Sequence, residues 1–293
     1  MIPFAIQEFI QNEIQLLLDI PAGSMDMLPA GGGSINLAYE LVLNEQYRFF
    51  CKINSASRYP AMFEKEKHGL HALASVNTIA VPSVIFSAVR DDFQILVLEW
   101  IESAEPEPAG WKRLGEQLAA LHYCSAAAFG FSEDNYMGAL PQSNQFSSNW
   151  PRFFMVHRLM PMVQRAFEAG LLQSNLLSHF ERLYKALPGI FPPEIPSLLH
   201  GDLWSGNFMF NRQQQPVLLD PAVYYGCRSM DLGMTGLFGG FDSLFYDAYH
   251  YHHPLPANHK EQWEVCNLYP LLIHLILFGK AYLADIERTI RRF

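Results

Sequence analysis

The sequence predicts an α+β protein with two lobes, a small β-rich lobe over residues 1–102 and a larger helical lobe over residues 103–293. Three observations support this prediction. Short β-rich runs dominate the first hundred residues, apolar stripes at helical spacing dominate the rest, and the proline-bearing acidic stretch 103–108 interrupts both patterns. Such a stretch is typical of a boundary between compact units.

The composition is that of an ordinary globular protein. Of the 293 residues, 50% are hydrophobic and 17% are charged, which is too few charges for a disordered chain. The net charge of −9 argues against a nucleic-acid partner, because phosphate backbones select basic surfaces. It does not exclude a nucleotide, since charges are screened over about 8 Å and a ligand in a cleft responds to nearby groups.

Cysteine usage and hydropathy indicate a soluble cytoplasmic protein, which we expect to be a monomer. The four cysteines form no C-x-x-C pair, so neither a zinc site nor a disulfide framework is predicted. The first residues lack the basic segment of a signal peptide. The longest apolar stretch, 268–279, is shorter than the roughly 20 residues that span a bilayer, so no membrane partner is expected.

The N-terminal lobe is predicted to contain two helices and four strands. Apolar residues at helical spacing predict helices over 4–18 and 61–76. Two β-rich runs, 37–43 and 47–53, flank a short polar turn, and a second pair covers 84–89 and 94–100. Lys52 interrupts the apolar run of its strand, so its side chain should point to the face opposite that of Cys51 and Ile53.

The C-terminal lobe is predicted to be mainly helical. Apolar stripes indicate helices over residues 111–124, 150–169, 176–187 and 260–290. The histidines at 250, 252 and 253 are interpreted as a helix end with alternating exposure and not as metal ligands.

The segment from His200 to Asn207 carries the strongest chemical signal. Asp202 precedes Asn207 by five positions, which matches the H-x-D-x-x-x-x-N loop in which the aspartate takes the proton of an acceptor hydroxyl and the asparagine holds Mg²⁺. Asp220 follows eighteen positions after Asp202, at the end of an apolar run, where a carboxylate can bridge metal and phosphates. His-Gly-Asp alone could be an ordinary tight turn, but the combination predicts a magnesium-dependent phosphate-transfer site.

A nucleotide site is predicted in the N-terminal lobe. The run Gly31, Gly32, Gly33 and Ser34 allows the backbone to approach phosphate oxygens, although it matches neither a P-loop nor a Rossmann motif. Lys52 lies on the second strand of the hairpin that follows, where its ammonium could reach the phosphates of ATP.

Lys52 needs a counter-charge, because an unpaired buried ammonium is costly. Glu66, in the first turns of the next helix, is the preferred partner, and Glu64 is an alternative. The main chain of Glu99, Trp100 and Ile101 is assigned by its position to the edge of the adenine ring.

These residues resemble the fructosamine kinase (ketosamine-3-kinase) family of the protein-kinase-like superfamily. The most specific segment is His200-Gly201-Asp202-Leu203-Trp204-Ser205-Gly206-Asn207, because Trp204 distinguishes it from aminoglycoside-type enzymes. The other matching segments are 31–36, 50–54, 62–66, 134–138, Gln142 with Asn144, Trp150 with Phe153 and Phe154, and Arg158 with Leu159.

The resemblance implies a two-lobed protein-kinase-like fold and ATP-dependent phosphorylation of the sugar 3-hydroxyl of a ketosamine. The acceptor would be a fructosamine or ribulosamine, such as a glycated lysine, and the role would be deglycation. Ser34 replaces a cysteine found in some members, which puts their redox control of this loop in doubt here. Asp231 matches a superfamily aspartate that we expect to support the catalytic loop rather than to touch substrate.

Three residues are candidate substrate contacts. Trp204 and Trp150 could stack on the sugar or its amine-bearing chain, although a core position is the preferred interpretation for Trp150. His274 lies in a segment that matches the C-terminal helix of the family. Two alternatives stay open: a kinase for another hydroxylated amine, such as an aminoglycoside, and a nucleotide-binding pseudokinase.

Overall fold

The computed structural model describes residues 2–31 and 35–293. Its N-terminal region is a five-stranded antiparallel sheet with the strand order β1-β2-β3-β5-β4 and two helices. The elements are α1 (Phe4–Leu18), β1 (Met25–Pro29), β2 (Leu37–Leu43), β3 (Tyr47–Ser55), α2 (Met62–Ser75), β4 (Val84–Arg90) and β5 (Phe93–Glu99).

The two helices cover opposite faces of this sheet. Ile6, Ile10 and Ile14 of α1 pack in one cluster with Cys51 and Ile53. On the other face, α2 packs on β5 through a second cluster of buried residues. The position between Cys51 and Ile53 therefore faces α2, as the two-residue period of a strand predicts.

The C-terminal region is mostly helical. Its helices are α3 (Pro108–Tyr123), α4 (Trp150–Phe154), α5 (Met160–Glu168), α6 (Ser174–Ile190), α7 (Ser229–Leu237), α8 (Ser243–His252), α9 (His259–Cys266), α10 (Leu268–Phe278) and α11 (Leu283–Ile290), with a π-helical turn at Met155–Leu159 and a 3₁₀ turn at Lys280–Tyr282. Its strands are β6 (Ser103–Ala104), β7 (Asn135–Met137), β8 (Leu140–Gln142), β9 (Ser197–Leu199), β10 (Phe208–Asn211), β11 (Pro216–Leu218) and β12 (Tyr224–Gly226).

The short strands form three small sheets that hold the connecting segments in place. β6 pairs with β10, β10 with β11, β9 with β12, and β7 with β8. The predicted linker at 103–108 is therefore partly ordered, because its first two residues pair with β10. The boundary at residue 102 stays a prediction and falls between β5 and β6. Within the described ranges, no helix has both the length and the apolar character of a membrane span.

The structure differs from the predicted elements in three places. The helix predicted over 260–290 is three helices, because Gly279 adopts φ +91° and ends α10. The helix predicted over 150–169 contains the π-helical turn. β1, α7 and α8 were not predicted from the sequence. β1 is an edge strand that contains Asp26 and Pro29, which weaken the strand pattern, and α7 contains Gly233 and Gly236, which weaken the helix pattern.

Candidate active site

A cavity of about 530 Å³ lies where the five-stranded sheet meets the helical region. Strand β3, helix α2, the β7–β8 hairpin, the segments around residues 202–207 and 220–222, and helix α10 all contribute to its wall. The polar and charged residues of the wall are Asn36, Lys52, Lys65, Glu66, Asn135, Asp202, Asn207, Asp220 and His274. Five residues that the sequence placed in a phosphate-transfer site therefore share one cavity.

Lys52 is buried in the middle strand of the sheet and pairs with two carboxylates. Its Nζ lies 2.7 Å from Oε1 of Glu66 and 2.5 Å from Oδ1 of Asp220. Burial alone would lower the pKa of Lys52, but the charges of Asp220 and Glu66 outweigh it and raise the pKa above its usual value. Lys52 is therefore charged at every physiological pH.

The carboxyl group of Glu66, and not that of Glu64, holds this lysine. Glu64 instead accepts a hydrogen bond from Ser87 and pairs with Lys67 at 2.8 Å. Burial raises the pKa of Glu66, and the charge of Lys52 opposes that effect.

Asp202 and Asn207 lie side by side in the loop that follows β9. The Nδ2 of Asn207 donates to the main-chain oxygen of Asp202 at 2.8 Å and to its Oδ2 at 3.1 Å. Burial raises the pKa of Asp202 to about 7, the charge of Asp220 adds to this effect, and the bond from Asn207 opposes it. A cation near these carboxylates would favour the ionised form of Asp202.

The loop is anchored from below by Asp231, which is 1% exposed. Its carboxylate accepts the backbone N–H groups of His200 and Gly201, each at 2.8 Å, and contacts Nε2 of His122 at 3.2 Å. Burial would raise the pKa of Asp231, but its contact with His122 and the hydrogen bond from the N–H of Gly201 lower it overall. This geometry agrees with the expected supporting role, because Asp231 is not part of the cavity wall.

Sequence reasoning missed the role of His122. This buried histidine on α3 also bonds through Nδ1 to the hydroxyl of Tyr249 at 2.8 Å. The available signal was its place on the apolar stripe of the helix, one turn after Leu118. A histidine on a buried face needs polar partners.

His200 and Gly201 shape the turn before Asp202. Nε2 of His200 donates to the carbonyl of Leu219 at 2.7 Å, and Nδ1 accepts the N–H of Asp202 at 3.2 Å. Burial lowers the pKa of His200, which suits this neutral form. Gly201 has φ +85°, and a Cβ there would lie 2.1 Å from the carbonyl oxygen of Ala222, so only glycine fits.

Asp220 has an exposed carboxylate on a left-handed backbone, with φ +53° and a side chain that is 45% exposed. Such conformations are uncommon outside glycine and occur often at functional sites. Among the described residues, no three His, Cys, Asp or Glu side chains cluster to hold a metal. Two oxygen donors, from Asp220 and Asn207, fit Mg²⁺ well, because this ion usually takes one or two protein ligands beside phosphates and waters.

Trp204 and His274, two of the predicted substrate contacts, line the aromatic side of the cavity. Trp204 is 38% exposed and packs edge to face with Phe238 at 6.2 Å, and Phe238 lies 4.9 Å from the ring of His274. Nδ1 of His274 donates to the carbonyl of Pro270 at 2.8 Å, and burial lowers the pKa of the ring. Its Nε2 is therefore a hydrogen-bond acceptor.

Trp150 does not fit the predicted substrate contact. It is 3% exposed, stacks on Phe153 and Phe154 in the core, and is absent from the cavity wall. The neighbouring rings hold Trp150 in the core, which was the preferred interpretation of this residue from the sequence.

The predicted adenine segment lies apart from the main cavity. Glu99, Trp100 and Ile101 line a second cavity of about 180 Å³ together with Arg212. The N–H of Glu99 is already bonded to the carbonyl of Ser83.

The glycine-rich run is only partly described. Gly31 is exposed at the end of β1, whereas Gly32, Gly33 and Ser34 lie outside the described residues. The next residues, Ile35 and Asn36, reach the wall of the main cavity.

Comparisons with known proteins identify the relatives of this chain. The family model for fructosamine kinases matches residues 8–293. A Synechocystis protein named as a probable ketoamine kinase is 39% identical over 97% of this chain and 95% of its own. A protein-ribulosamine 3-kinase of Arabidopsis thaliana is 35% identical over 94% of this chain and 83% of its own.

Solved structures show the same fold. A structure from Thermobifida fusca, assigned as a fructosamine-3-kinase, superposes with a TM-score of 0.86 at 31% identity and covers 96% of this chain and 97% of its own. An amicoumacin kinase in complex with AMP-PNP and Ca²⁺ has a TM-score of 0.54 at 13% identity, over 91% of this chain and 87% of its own, and shares the fold alone. The family model and the curated relatives place the chain among the phosphotransferases that act on hydroxyl groups. The chain belongs to the fructosamine kinase family.

Proposed function

We propose that this protein transfers a phosphoryl group from ATP to the sugar 3-hydroxyl of a ketosamine, such as a fructosamine or ribulosamine. The observation that carries the proposal is the convergence of Lys52, Asp202, Asn207 and Asp220 on one cavity of a fructosamine kinase family member. Names of similar proteins, ketoamine kinase and protein-ribulosamine 3-kinase, support this acceptor class.

Asp202 is the proposed catalytic base. Its carboxylate orients the acceptor hydroxyl and takes the proton as the oxygen attacks phosphorus. The hydrogen bond from Asn207 holds that carboxylate in one orientation. Most of the rate enhancement would come from positioning and electrostatics, as in other phosphoryl-transfer enzymes.

Magnesium would be held by Asp220 and the Oδ1 of Asn207. When bound, the ion neutralises charge on the transferred phosphoryl group. Lys52, fixed by Glu66, would bind phosphate oxygens.

The proposed adenine site is the second cavity at Glu99, Trp100 and Ile101. Within the described ranges, the main-chain groups of Trp100 and Ile101 make no hydrogen bond to the rest of the chain. They are thus able to bond to the edge of a base. The run from Gly31 to Ser34 is the proposed phosphate-binding segment.

The proposed acceptor site is the aromatic side of the cavity. A ketosamine carries a secondary amine that is protonated at neutral pH, and aromatic faces attract such cations. Trp204 would contact the sugar or this amine, and Nε2 of His274 would accept a hydrogen bond from a donor on the acceptor.

We further propose that the protein is a cytoplasmic monomer and that its role is deglycation. The product of 3-phosphorylation would be unstable and would release the amine. The four cysteines are unpaired thiols, which suits a reducing compartment. Size-exclusion chromatography with light scattering would test the monomer, because a dimer would double the mass.

A panel of acceptors tests the activity. Purified protein with Mg·ATP would be assayed for ADP release with ribulosyl-lysine, fructosyl-lysine, an aminoglycoside and no acceptor, and the product would be located by ³¹P and ¹³C NMR. We expect turnover with a ketosamine and phosphate on O3. Turnover with the aminoglycoside alone would identify a different hydroxylated amine as the acceptor class. Tight Mg·ATP binding without turnover on any acceptor would indicate a pseudokinase.

A further inference from the structure

A buried arginine without an acidic partner lies behind the active site. Arg158 is 0% exposed, and within the described residues it pairs with no carboxylate; its Nη1 donates to the main-chain carbonyls of Ser143 and His157. Its guanidinium carbon instead lies 4.1 Å from the ring centre of Tyr224, 4.7 Å from that of Phe153 and 5.5 Å from that of Tyr269. Burying a charge in this way is costly, which suggests that the guanidinium has a task beyond packing.

The backbone conformation at Arg158 also indicates a role beyond packing. Arg158 lies in the π-helical turn Met155–Leu159, between α4 and α5. Such turns are rare and are frequently found at functional sites.

Arg158 begins a chain of hydrogen bonds that runs toward the active site. Its Nη2 donates to Oδ1 of Asn144 at 2.7 Å, and Nδ2 of Asn144 donates to Oδ1 of Asn135 at 3.1 Å. Nδ2 of Asn135 then donates to the carbonyl of Val223 at 2.9 Å. We call Arg158, Asn144 and Asn135 the amide relay.

A second set of hydrogen bonds, made by Gln142, reaches Asn135 and Ala222. Nε2 of Gln142 donates to Oδ1 of Asn135 at 2.8 Å and contacts the carbonyl oxygen of Ala222 at 3.4 Å, while Tyr269 donates to Oε1 of Gln142 at 2.9 Å. On its other side, the N–H of Ala222 donates to the carbonyl of His200 at 2.9 Å. The residues that follow Asp220 are thus held between the relay and the catalytic loop.

Arg158 fixes the direction of the relay together with the carbonyl groups of Glu133 and Val223, which can only accept. An amide side chain can turn its oxygen and its nitrogen either way, but a guanidinium has only donors. Arg158 therefore requires the oxygen of Asn144 on its side, and the carbonyl of Glu133, which accepts from Nδ2 of Asn144 at 3.1 Å, keeps the nitrogen on the side of Asn135. Asn135 must then present its own nitrogen to Val223.

We propose that Arg158 is a positioning residue that acts through Asn144 and Asn135 to hold the segment after Asp220, and with it the left-handed backbone that places the Asp220 carboxylate. Arg158 contacts neither nucleotide nor acceptor. The effect on turnover rests on the proposed function, whereas the effect on the backbone does not.

Asn144→Asp is the decisive variant. The new carboxylate forms an ion pair with Arg158 but loses the bonds that Nδ2 of Asn144 donates to Glu133 and Asn135, so the melting temperature should fall by no more than that of the stability control Leu183→Ala. However, it cannot donate to Asn135. Its oxygen would instead face Oδ1 of Asn135, which is held in place by the bond from Gln142, and the repulsion should displace Asn135 from Val223. A relay role predicts a fall in kcat of about 100-fold, because small misplacements of catalytic groups have effects of this size. A role in packing alone predicts unchanged kcat.

Arg158→Met and Leu183→Ala complete the test. Arg158→Met should lower kcat similarly, with a smaller change in KM for the acceptor. Leu183 is a fully buried leucine of α6 outside the cavity wall, so its variant should lose stability yet keep kcat within about twofold. Wild-type kcat in both relay variants, or an equal loss in Leu183→Ala, would overturn the proposal.

Hydrogen exchange separates this proposal from the proposed function. Amides of residues 222–224 should exchange faster in Asn144→Asp than in wild type and Leu183→Ala. Unchanged exchange in Asn144→Asp would contradict the relay even if the kinase activity is confirmed. Faster exchange in a protein without activity on any acceptor would support the relay while the proposed reaction fails.

Discussion

The ammonium of Lys52 lies 2.5 Å from the carboxylate of Asp220, although 168 positions separate the two residues. This contact joins the middle strand of the N-terminal sheet to the segment that follows β11. Because Glu66 contacts the same ammonium, two carboxylates share one buried positive charge. The chemistry of the site depends on this balance of charges and on the base beside it.

Replacement of the base should abolish turnover and spare nucleotide binding. Asp202→Asn keeps the size of the side chain and its contact with Asn207 but cannot take a proton. We expect kcat to fall by about 100- to 10,000-fold, which is the usual contribution of general-base catalysis. Calorimetry should show Mg·ATP affinity close to that of wild type. Retained turnover would contradict the assignment.

The same substitution should stabilise the protein above neutral pH. The pKa of Asp202 is about 7 in the folded chain and ordinarily 3.8, so the folded state binds the proton more tightly than the unfolded state. Wild-type stability should therefore fall as the pH rises from about 4 to about 7, and then level off.

Asp202→Asn has no carboxyl group to ionise at this position, so it should not lose stability over this pH range. We expect a gain in the free energy of unfolding of about 1–3 kcal/mol at pH 8, allowing for partial solvent screening, and none near pH 4. Urea unfolding of both proteins at the two pH values would measure it. An equal gain at both values would show that burial of the charge is not the cause.

Loss of the carboxylate at Glu66 should weaken catalysis, whereas the same change at Glu64 should not. Glu66→Gln keeps an acceptor oxygen for Lys52 but loses the negative charge that strengthens this bond, at a cost of up to about 1.5–3 kcal/mol, so kcat/KM for Mg·ATP should fall about 10- to 100-fold. Glu64→Gln is a matched control on the same helix, because Glu64 bonds only to groups outside the site. Equal effects of both substitutions would contradict the pairing.

Asp231→Asn should loosen the catalytic loop. An asparagine has one acceptor oxygen, so its nitrogen would face an N–H group of His200 or Gly201, at a cost of about 1–3 kcal/mol in stability. We expect kcat to fall by about 100-fold because the position of Asp202 depends on this anchor.

The pKa of Asp231 determines the pH range in which its contribution to stability is present. The pKa of Asp231 is lowered below its ordinary 3.8, so its contribution is complete above that value and is lost only as the pH falls through the lower folded pKa. The defect of Asp231→Asn should thus persist from neutral to alkaline pH. Asp242→Asn, an exposed helix cap that asparagine can replace, should leave stability and kcat unchanged.

The sequence by itself determined the local parts of this protein. Strand period placed Lys52 opposite Cys51 and Ile53, and motif spacing singled out Asp202 and Asn207, because these features depend on neighbours only a few positions away. Asp220 was singled out by the apolar run that it ends and by its spacing of eighteen positions from Asp202. Local signals could also choose the fold class, since hydrophobic periodicity changes from two to 3.6 residues near residue 103.

Tertiary structure decided everything that depends on long-range contact. It chose Glu66 over Glu64, buried Trp150, set the segment at Glu99 in a second cavity, and brought His122 beneath the catalytic loop. It also aligned Arg158 with Asn144 and Asn135. Side-chain partners far apart in sequence are fixed by packing and by the need to satisfy buried polar groups, and neither leaves a local pattern.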